Sequence, residues 1–315
     1  MWSRKTKNLM VIVISVALLA VALYLLLLPS AESEPGRLVA YRGGGQLVDY
    51  GEFSKTGCTA LSIVPSSNQH VENTLESLAY SSSIGAEILH INIHRTKDDK
   101  FVAFHDWTLD CATNGSGEVR ENTLAHLVTL DAGYGYTFDG GKTFPFRGKG
   151  YQISGLTEVL REFPNHEFWL NLKDNDARSF NALAELLENY SNRAGRLILI
   201  TSDKGIDAFS SLNPDLTAIS FESTKRCFYD YMLYGWSGIF PASCSEVPIL
   251  VPPSKANYLW GYPEKFVARA QRNGSSVYLW TKHTPIDAVL ELPRGVGLVT
   301  GDIAGVRKLD IKLVQ

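Results

Sequence analysis

The chain has 315 residues, 45% of them hydrophobic, with 30 Lys plus Arg against 33 Asp plus Glu and a formal charge of −3. That balance excludes a disordered polyelectrolyte and offers no whole-protein basic field to hold nucleic acid. Twenty-six Gly and 13 Pro are ordinary usage, which excludes collagen-like and low-complexity chains.

The first element in chain order is an uncharged apolar run, Leu9–Leu28. At about 1.5 Å rise per residue it matches a hydrocarbon core of about 30 Å. It is longer than the apolar region of a cleaved signal peptide, and Leu27, Leu28 and Pro29 spoil the small-residue cleavage position. Arg4, Lys5 and Lys7 precede the run, and Glu32 and Glu34 come after it. The positive-inside rule therefore keeps residues 1–8 cytoplasmic and exports the chain beyond the run. The expectation is a single-pass anchor in the lipid bilayer at 9–28, a linker at 29–36 and a periplasmic or extracellular domain at 37–315.

Short apolar runs then alternate with amphipathic stretches. Expected strands are Leu38–Tyr41, Glu87–Ile93, Phe101–His105, Phe168–Leu172, Leu197–Thr201, Thr217–Phe221, Ser237–Phe240, Ile249–Val251, Val277–Trp280 and Gly297–Thr300. Helical patterns lie at Asn73–Ser83, Leu156–Phe163, Ala177–Tyr190 and Pro263–Asn273. Brief Val-, Ile- and Leu-rich strands between helices imply a parallel α/β fold, and the length suits a (β/α)₈ TIM-like barrel. Residues 106–152 break the alternation with Gly-rich turns and read as an insertion that shapes the mouth of a site.

Cys58, Cys111, Cys227 and Cys244 form an even set without CxxC spacing, so a zinc knuckle has no support. In an exported domain they read as two disulfides, Cys58–Cys111 and Cys227–Cys244, the second closing a short loop. Buried free thiols are the alternative.

Three segments carry a family resemblance: AYRGGG (Ala40–Gly45), ENTLES (Glu72–Ser77) and GAEILHINIHRTKDDKFVAFHDWTLDCATNGSG (Gly85–Gly117). Their order and spacing resemble the glycerophosphodiester phosphodiesterases, whose pattern runs AHRG, ENT, a strand bearing E-x-D, then His-Asp. ISGLTEVL (Ile153–Leu160), FWLNLK (Phe168–Lys173), VYLWT (Val277–Thr281) and GLVTGD (Gly297–Asp302) extend the similarity over nearly all of the exported part. The resemblance implies a barrel that hydrolyses phosphodiesters. It also implies Ca²⁺ or Mg²⁺ held by three carboxylates, and two histidines acting as acid and base.

At the centre the sequence departs from that pattern. Tyr41 stands at the first histidine position, His90 and Asn92 at the E-x-D pair, and Asn171 at the third carboxylate. His105, followed by Asp106, matches, as do Arg42, Glu72, Lys173 and Trp280, which the resemblance implies as phosphate-contacting and wall positions. Hard dications depend on ligand charge, so the family's metal is expected to be weak or absent here. His90, Asn92 and His94 share a strand face, a spacing at which two imidazoles could take Zn²⁺. Two functions remain open at this stage: a phosphodiesterase with a remodelled centre that acts on phosphodiester or phospholipid head groups, and a non-catalytic head-group-binding pseudoenzyme or scaffold for a membrane partner.

Overall fold

The computed structural model describes residues 4–27, 34–286 and 292–308. Helix α1 (Arg4–Leu27) carries most of the expected anchor, and its described apolar side chains, such as Leu9, Leu18 and Leu23, are exposed. Among the described residues no helix is long and apolar enough to cross a membrane; the unbroken run of described side chains in α1 covers only residues 6–21. Leu28 and most of the expected linker lie outside the described residues.

The domain begins with β1 (Leu38–Ala40), then β2 (Leu47–Val48), α2 (Tyr50–Thr56), β3 (Ile63–Val64), α3 (Leu75–Ser83) and β4 (Ile88–Arg95). Next come β5 (Phe101–Ala103), α4 (Leu124–Leu127), β6 (Ser154–Gly155), α5 (Leu156–Glu162), β7 (Glu167–Leu172) and α6 (Ala177–Glu188). β8 (Leu197–Thr201), α7 (Asp203–Leu212), β9 (Thr217–Ser220), α8 (Phe221–Tyr234) and β10 (Pro248–Val251) come after them, then α9 (Glu264–Arg272), β11 (Ser276–Lys282), β12 (Val296–Thr300) and α10 (Ile303–Lys308).

Eight strands hydrogen-bond in parallel in the order β10-β11-β12-β1-β4-β7-β8-β9, a curled sheet of TIM-barrel type. The curl is visible in its interior. Val39, Ile88, Trp169, Tyr278 and Val299, from five different strands, form one buried cluster with Tyr41. Alternate residues of a strand point to opposite faces, so the other set packs outward, against the helices. Leu89, Leu170, Leu199 and Leu298 join Leu183, Phe209 and Phe266 there. Side-chain caps mark where strands give way to helices: Asp176 caps α6, Ser202 caps α7 and Ser220 caps α8, each accepting from a backbone N–H of the first turn.

Two expected strands turn out differently. Phe101–His105 is not a barrel strand: β5 runs antiparallel to β4, with Thr96 N–H donating to Lys100 O across the turn. So short a link allows a hairpin and forbids a parallel crossover. Ser237–Phe240 is not a strand either: Gly235–Ser237 is a 3₁₀ turn, Gly238 takes a left-handed φ of 86°, and Phe240 packs edge-on against Tyr231. Residues 106–152 pack as a second apolar cluster, in which Leu109, Leu127, Tyr136 and Phe146 meet Val48, Ile63 and Val71. Both expected disulfides are formed, Cys58–Cys111 and Cys227–Cys244, so the free-thiol alternative falls.

Candidate functional site

The chain leaves β1 through a left-handed stretch: Arg42, Gly43 and Gly44 have φ of 54°, 74° and 76°. A Cβ on Gly45 would lie 2.3 Å from Glu72 N, so glycine there lets the loop press against the ENT segment. Asn73 N–H donates to Arg42 O at 2.8 Å, and Asn73 Oδ1 accepts from Asn92 N at 2.9 Å. Three sequence motifs are thereby bolted together by bonds to the backbone. Arg42 is buried, and its Nη1 reaches both carboxylate oxygens of Glu72, at 3.2 and 3.1 Å. Burial opposes the guanidinium charge, but Glu72 more than restores it, so Arg42 stays protonated. Burial pushes Glu72 up to about 7, against the downward pull of Arg42.

His105 stands on the segment after β5. Its Nδ1 lies 2.8 Å from Asp106 Oδ1, and Asp106 is clamped by Thr59 through N–H (2.9 Å) and Oγ1 (2.6 Å). An ionised carboxylate can only accept, which fixes the His105 proton on Nδ1 and turns the Nε2 lone pair toward Lys173 Nζ, 3.4 Å away. Burial, then Arg42 and Lys173, hold His105 well below its ordinary pKa. Burial and Arg42 bring Lys173 down to about 8. His90 accepts from Arg42 N–H at Nδ1 (3.1 Å), stacks on Tyr41 with centroids 4.7 Å apart, and is held at about 3 by burial and Arg42. It is a neutral ring.

These residues share one cavity of about 780 Å³ at the C-terminal ends of the strands. Tyr41, Arg42, His90, Asn92, His105, Asn171, Lys173 and Trp280 all line it. Strands deliver side chains of one parity to the barrel axis, and that is why positions dispersed from 41 to 280 meet. Glu72 does not line this cavity. It pairs with Arg42 from behind.

His94 is held by protein neighbours. Its Nε2 lies 3.3 Å from His105 O and its Nδ1 3.8 Å from Asp174, and Trp107 covers its ring. Among the described residues, the one set of three His, Cys, Asp or Glu donors close enough to share an ion is Cys58, Asp106 and Cys111. Those sulfurs are bonded to each other and offer no thiolate. His90 and His94, whose spacing in sequence leaves Zn²⁺ open, belong to no such set of three.

A hard dication fits no better. The cavity offers amides and neutral imidazoles at the positions where oxygen anions are wanted, and Arg42, Lys173 and Lys282 line it as well. Asn92 Oδ1 is buried without a hydrogen-bond partner and is suited to a ligand hydroxyl. Sequence reasoning missed Thr59 and the cover over the cavity. Tyr50 meets Tyr41 through hydroxyls 3.3 Å apart, and Phe53 sits edge-on to His105. The one signal for Thr59 was its place next to a cysteine. For the cover there was none.

A parallel α/β barrel with a cationic cavity at the C-terminal ends of its strands defines the class. The match to the glycerophosphoryl diester phosphodiesterase family model over residues 65–305 completes the assignment, and the chain belongs to that family. It is 28% identical over 170 residues to the glycerophosphodiester phosphodiesterase of Bacillus subtilis (strain 168), covering 49% of this chain and 56% of that protein. The chain thus spans about half the length of that relative. A putative glycerophosphodiester phosphodiesterase of the same organism is 25% identical over 73% of this chain and 88% of its own length. Among solved structures, the family domain of an uncharacterized Mycobacterium tuberculosis protein superposes with a TM-score of 0.60 at 18% identity, over 87% of this chain and all of that one. An Oleispira antarctica phosphodiesterase in complex with the product sn-glycerol-3-phosphate gives 0.52 at 17% identity, over 88% of this chain and 97% of that one.

Proposed function

We propose that the domain captures the phosphodiester of glycerophosphodiesters and phospholipid head groups at the outer face of a membrane, without the family's resident dication. The carrying observation is a cavity lined by Arg42, Lys173 and Lys282 whose lining carboxylate, Asp106, is already engaged by Thr59 and His105. Arg42 is preorganised by Glu72, and Lys173 stands 3.4 Å from His105. Charge-assisted bonds from fixed donors are the strong ones for phosphate. Asn92 Oδ1 and Asn171 add neutral polar groups for the glycerol hydroxyls. The exposed apolar surface of α1 supports attachment to a bilayer, and two disulfides suit an exported domain.

A second reading has its own observation. The His105–Asp106 pair is intact, with His105 neutral and its Nε2 facing Lys173 at the cavity, as an acid–base group for phosphodiester hydrolysis requires. One experiment separates the two. The full chain is titrated calorimetrically with sn-glycero-3-phosphocholine and assayed for release of glycerol phosphate, with and without EDTA. Saturable binding without cleavage assigns a binding protein. EDTA-resistant cleavage abolished in His105→Ala assigns a remodelled hydrolase. Cleavage lost in EDTA and restored by Ca²⁺ or Mg²⁺ defeats both, and so does failure to bind.

A further inference from the structure

The last residue of β11 stands out of register. Trp280 pairs with Val299 but Lys282 with Thr300, so β11 carries one residue more than β12 across this step. Thr281 Oγ1 donates to Val299 O (3.0 Å), and Gly301 N–H donates to Lys282 O (2.5 Å). A bulge of this kind re-aims the side chain beside it. Lys282 is left with a φ of 55°, in the left-handed region where a side chain crowds its own backbone. The next residue, His283, is buried against Tyr41 and Tyr50, with ring centroids 5.2 and 5.7 Å away. Packing after the bulge and hydrogen bonds within it together hold the strained residue in place.

That strain fixes the position of one ammonium. Lys282 Nζ lies 4.2 Å from the Trp280 centroid and 4.9 Å from that of Tyr50. Both rings, and Lys282 itself, line the head-group cavity together with Arg42 and Lys173. Two aromatic faces turned on one point make the arrangement that attracts a substrate ammonium. Here the chain's own cation already occupies it. Among the described residues no carboxylate forms an ion pair with Lys282, and the carboxylate that lines the cavity, Asp106, is taken by Thr59 and His105. A cationic head group would therefore meet a like charge at the one place its ammonium would seek.

We infer that Lys282 is a specificity-determining residue, which selects by charge the alcohol esterified to the phosphate. Diesters of uncharged alcohols such as glycerol are preferred, and those of choline or ethanolamine bind through their phosphate but more weakly. Discrimination of this kind comes from a repulsive element set against the wrong partner as much as from attraction to the right one. The inference rests on the head-group reading and adds to it the charge of the second alcohol.

The test uses the full chain held in amphipol and three probes in calorimetric titration. These are sn-glycero-3-phosphoglycerol, sn-glycero-3-phosphocholine, and the 3,3-dimethylbutyl ester of sn-glycerol 3-phosphate, which copies choline with carbon in place of nitrogen. The parent is expected to bind the carbon isostere and the glycerol diester about ten-fold more tightly than the choline diester. Because the isosteres differ in charge and not in shape, their ratio reads the ammonium alone. Lys282→Met empties the aromatic pair, so the ratio of isostere to choline diester should fall to about one or reverse. Lys282→Arg should keep the parental ratio. Lys282→Gly, whose backbone suits a positive φ, repeats the measurement in a chain relieved of the strain and covers the case in which the Met variant fails to fold. A merely structural lysine would change all three affinities together and leave the ratio alone. A parental ratio near one, or a ratio unchanged in Lys282→Met and Lys282→Gly, overturns the inference and spares the head-group reading. Failure of all three probes to bind the parent overturns both.

Discussion

The guanidinium of Arg42 meets both oxygens of Glu72 inside the protein, with side chains only 2 and 4% exposed. The pair explains how a cation can wait beside the cavity without collapsing onto a neighbouring acceptor. Its removal should be costly in one particular way. Glu72→Gln leaves a buried charge without its counterion, for which about 3–5 kcal/mol of stability is lost. The urea midpoint should fall accordingly. The double variant Arg42→Met, Glu72→Gln should recover part of the loss, because no stranded charge remains. A single variant as stable as the parent would show that the pair is not what holds this corner.

Lys173 gives the site a pH dependence of known sign. Burial and the neighbouring Arg42 lower its pKa from 10.5 to about 8, so it loses its proton within an accessible range. Affinity for a phosphodiester should therefore be full below about pH 7 and weaken as pH rises through 8. A charge-assisted bond is worth roughly 1.5–3 kcal/mol, about one to two decades in the dissociation constant. Lys173→Met should bind weakly at every pH and lose the step between pH 7 and 9. A step that survives in the variant would assign it to another group.

Much of this was legible in the sequence, and the failures have physical causes. The barrel strands announced themselves because a strand buried on both faces is apolar nearly throughout, as in Phe168–Leu170 and Val277–Trp280. Helix α8 was missed because its exposed face carries Phe221, Tyr229 and Leu233, which blurs the amphipathic signal. Ser237–Phe240 looked like a strand because Ile239 and Phe240 are apolar, yet Ile239 is 59% exposed and Phe240 serves helix packing. Within the site, residue identity revealed which groups meet but not which one stands behind another. Glu72 as buttress, Thr59 as clamp and Tyr50 as cover emerge from three-dimensional order alone. So does His283, buried edge-on to Tyr41 at 5.2 Å.

The Cys58–Cys111 bond bears on the site as well as on stability. It closes a separation of 53 residues against 17 for Cys227–Cys244; chain entropy then gives about 4 and about 3 kcal/mol. Cys58 precedes Thr59, the residue that clamps Asp106 and thereby His105. Cys58→Ser with Cys111→Ser should lower both the melting temperature and the head-group affinity. Cys227→Ser with Cys244→Ser should lower the melting temperature and spare the head-group affinity. Equal effects on affinity would argue against transmission through Thr59.

Acid should destabilise the domain. Burial lowers His90 to about 3 and His94 to about 4, and drives His105 and His283 well below 6.5. An unfolded histidine binds its proton near 6.5, whereas these folded ones refuse it. Their stabilisation is therefore complete above about pH 6.5 and is lost as pH falls toward 4. Each contributes a slope of up to about 1.4 kcal/mol per pH unit in that window. Glu72, raised from 4.5 to about 7, and Asp106 and Asp174, both raised by burial, act in the opposite sense, but the four histidines, with His70 lowered by burial as well, outnumber them. The melting temperature should drop from pH 6.5 to 4.5, and His94→Gln should make the drop shallower. A flat profile would mean that these rings are not held neutral.

The disagreement between this cavity and a dication can be reversed by substitution. His90, Asn92 and Asn171 lie on β4 and β7, at positions that line one cavity, so carboxylates placed there would converge. In the parent chain, added Ca²⁺ or Mg²⁺ should leave the melting temperature unchanged, because neutral donors beside Arg42 and Lys173 offer a hard ion little. The triple variant His90→Glu, Asn92→Asp, Asn171→Glu should be less stable without metal, since three acidic groups are then crowded together in a buried space. It should regain stability as Ca²⁺ rises, by RT ln(1 + [L]/Kd), which is about 2.7 kcal/mol at one hundred times the dissociation constant. Head-group binding should pass from EDTA-resistant in the parent to EDTA-sensitive in the variant. A parent chain already stabilised by Ca²⁺ would show that the amides and imidazole suffice for the ion. A triple variant that folds yet ignores Ca²⁺ would show that the three positions do not converge closely enough to share one.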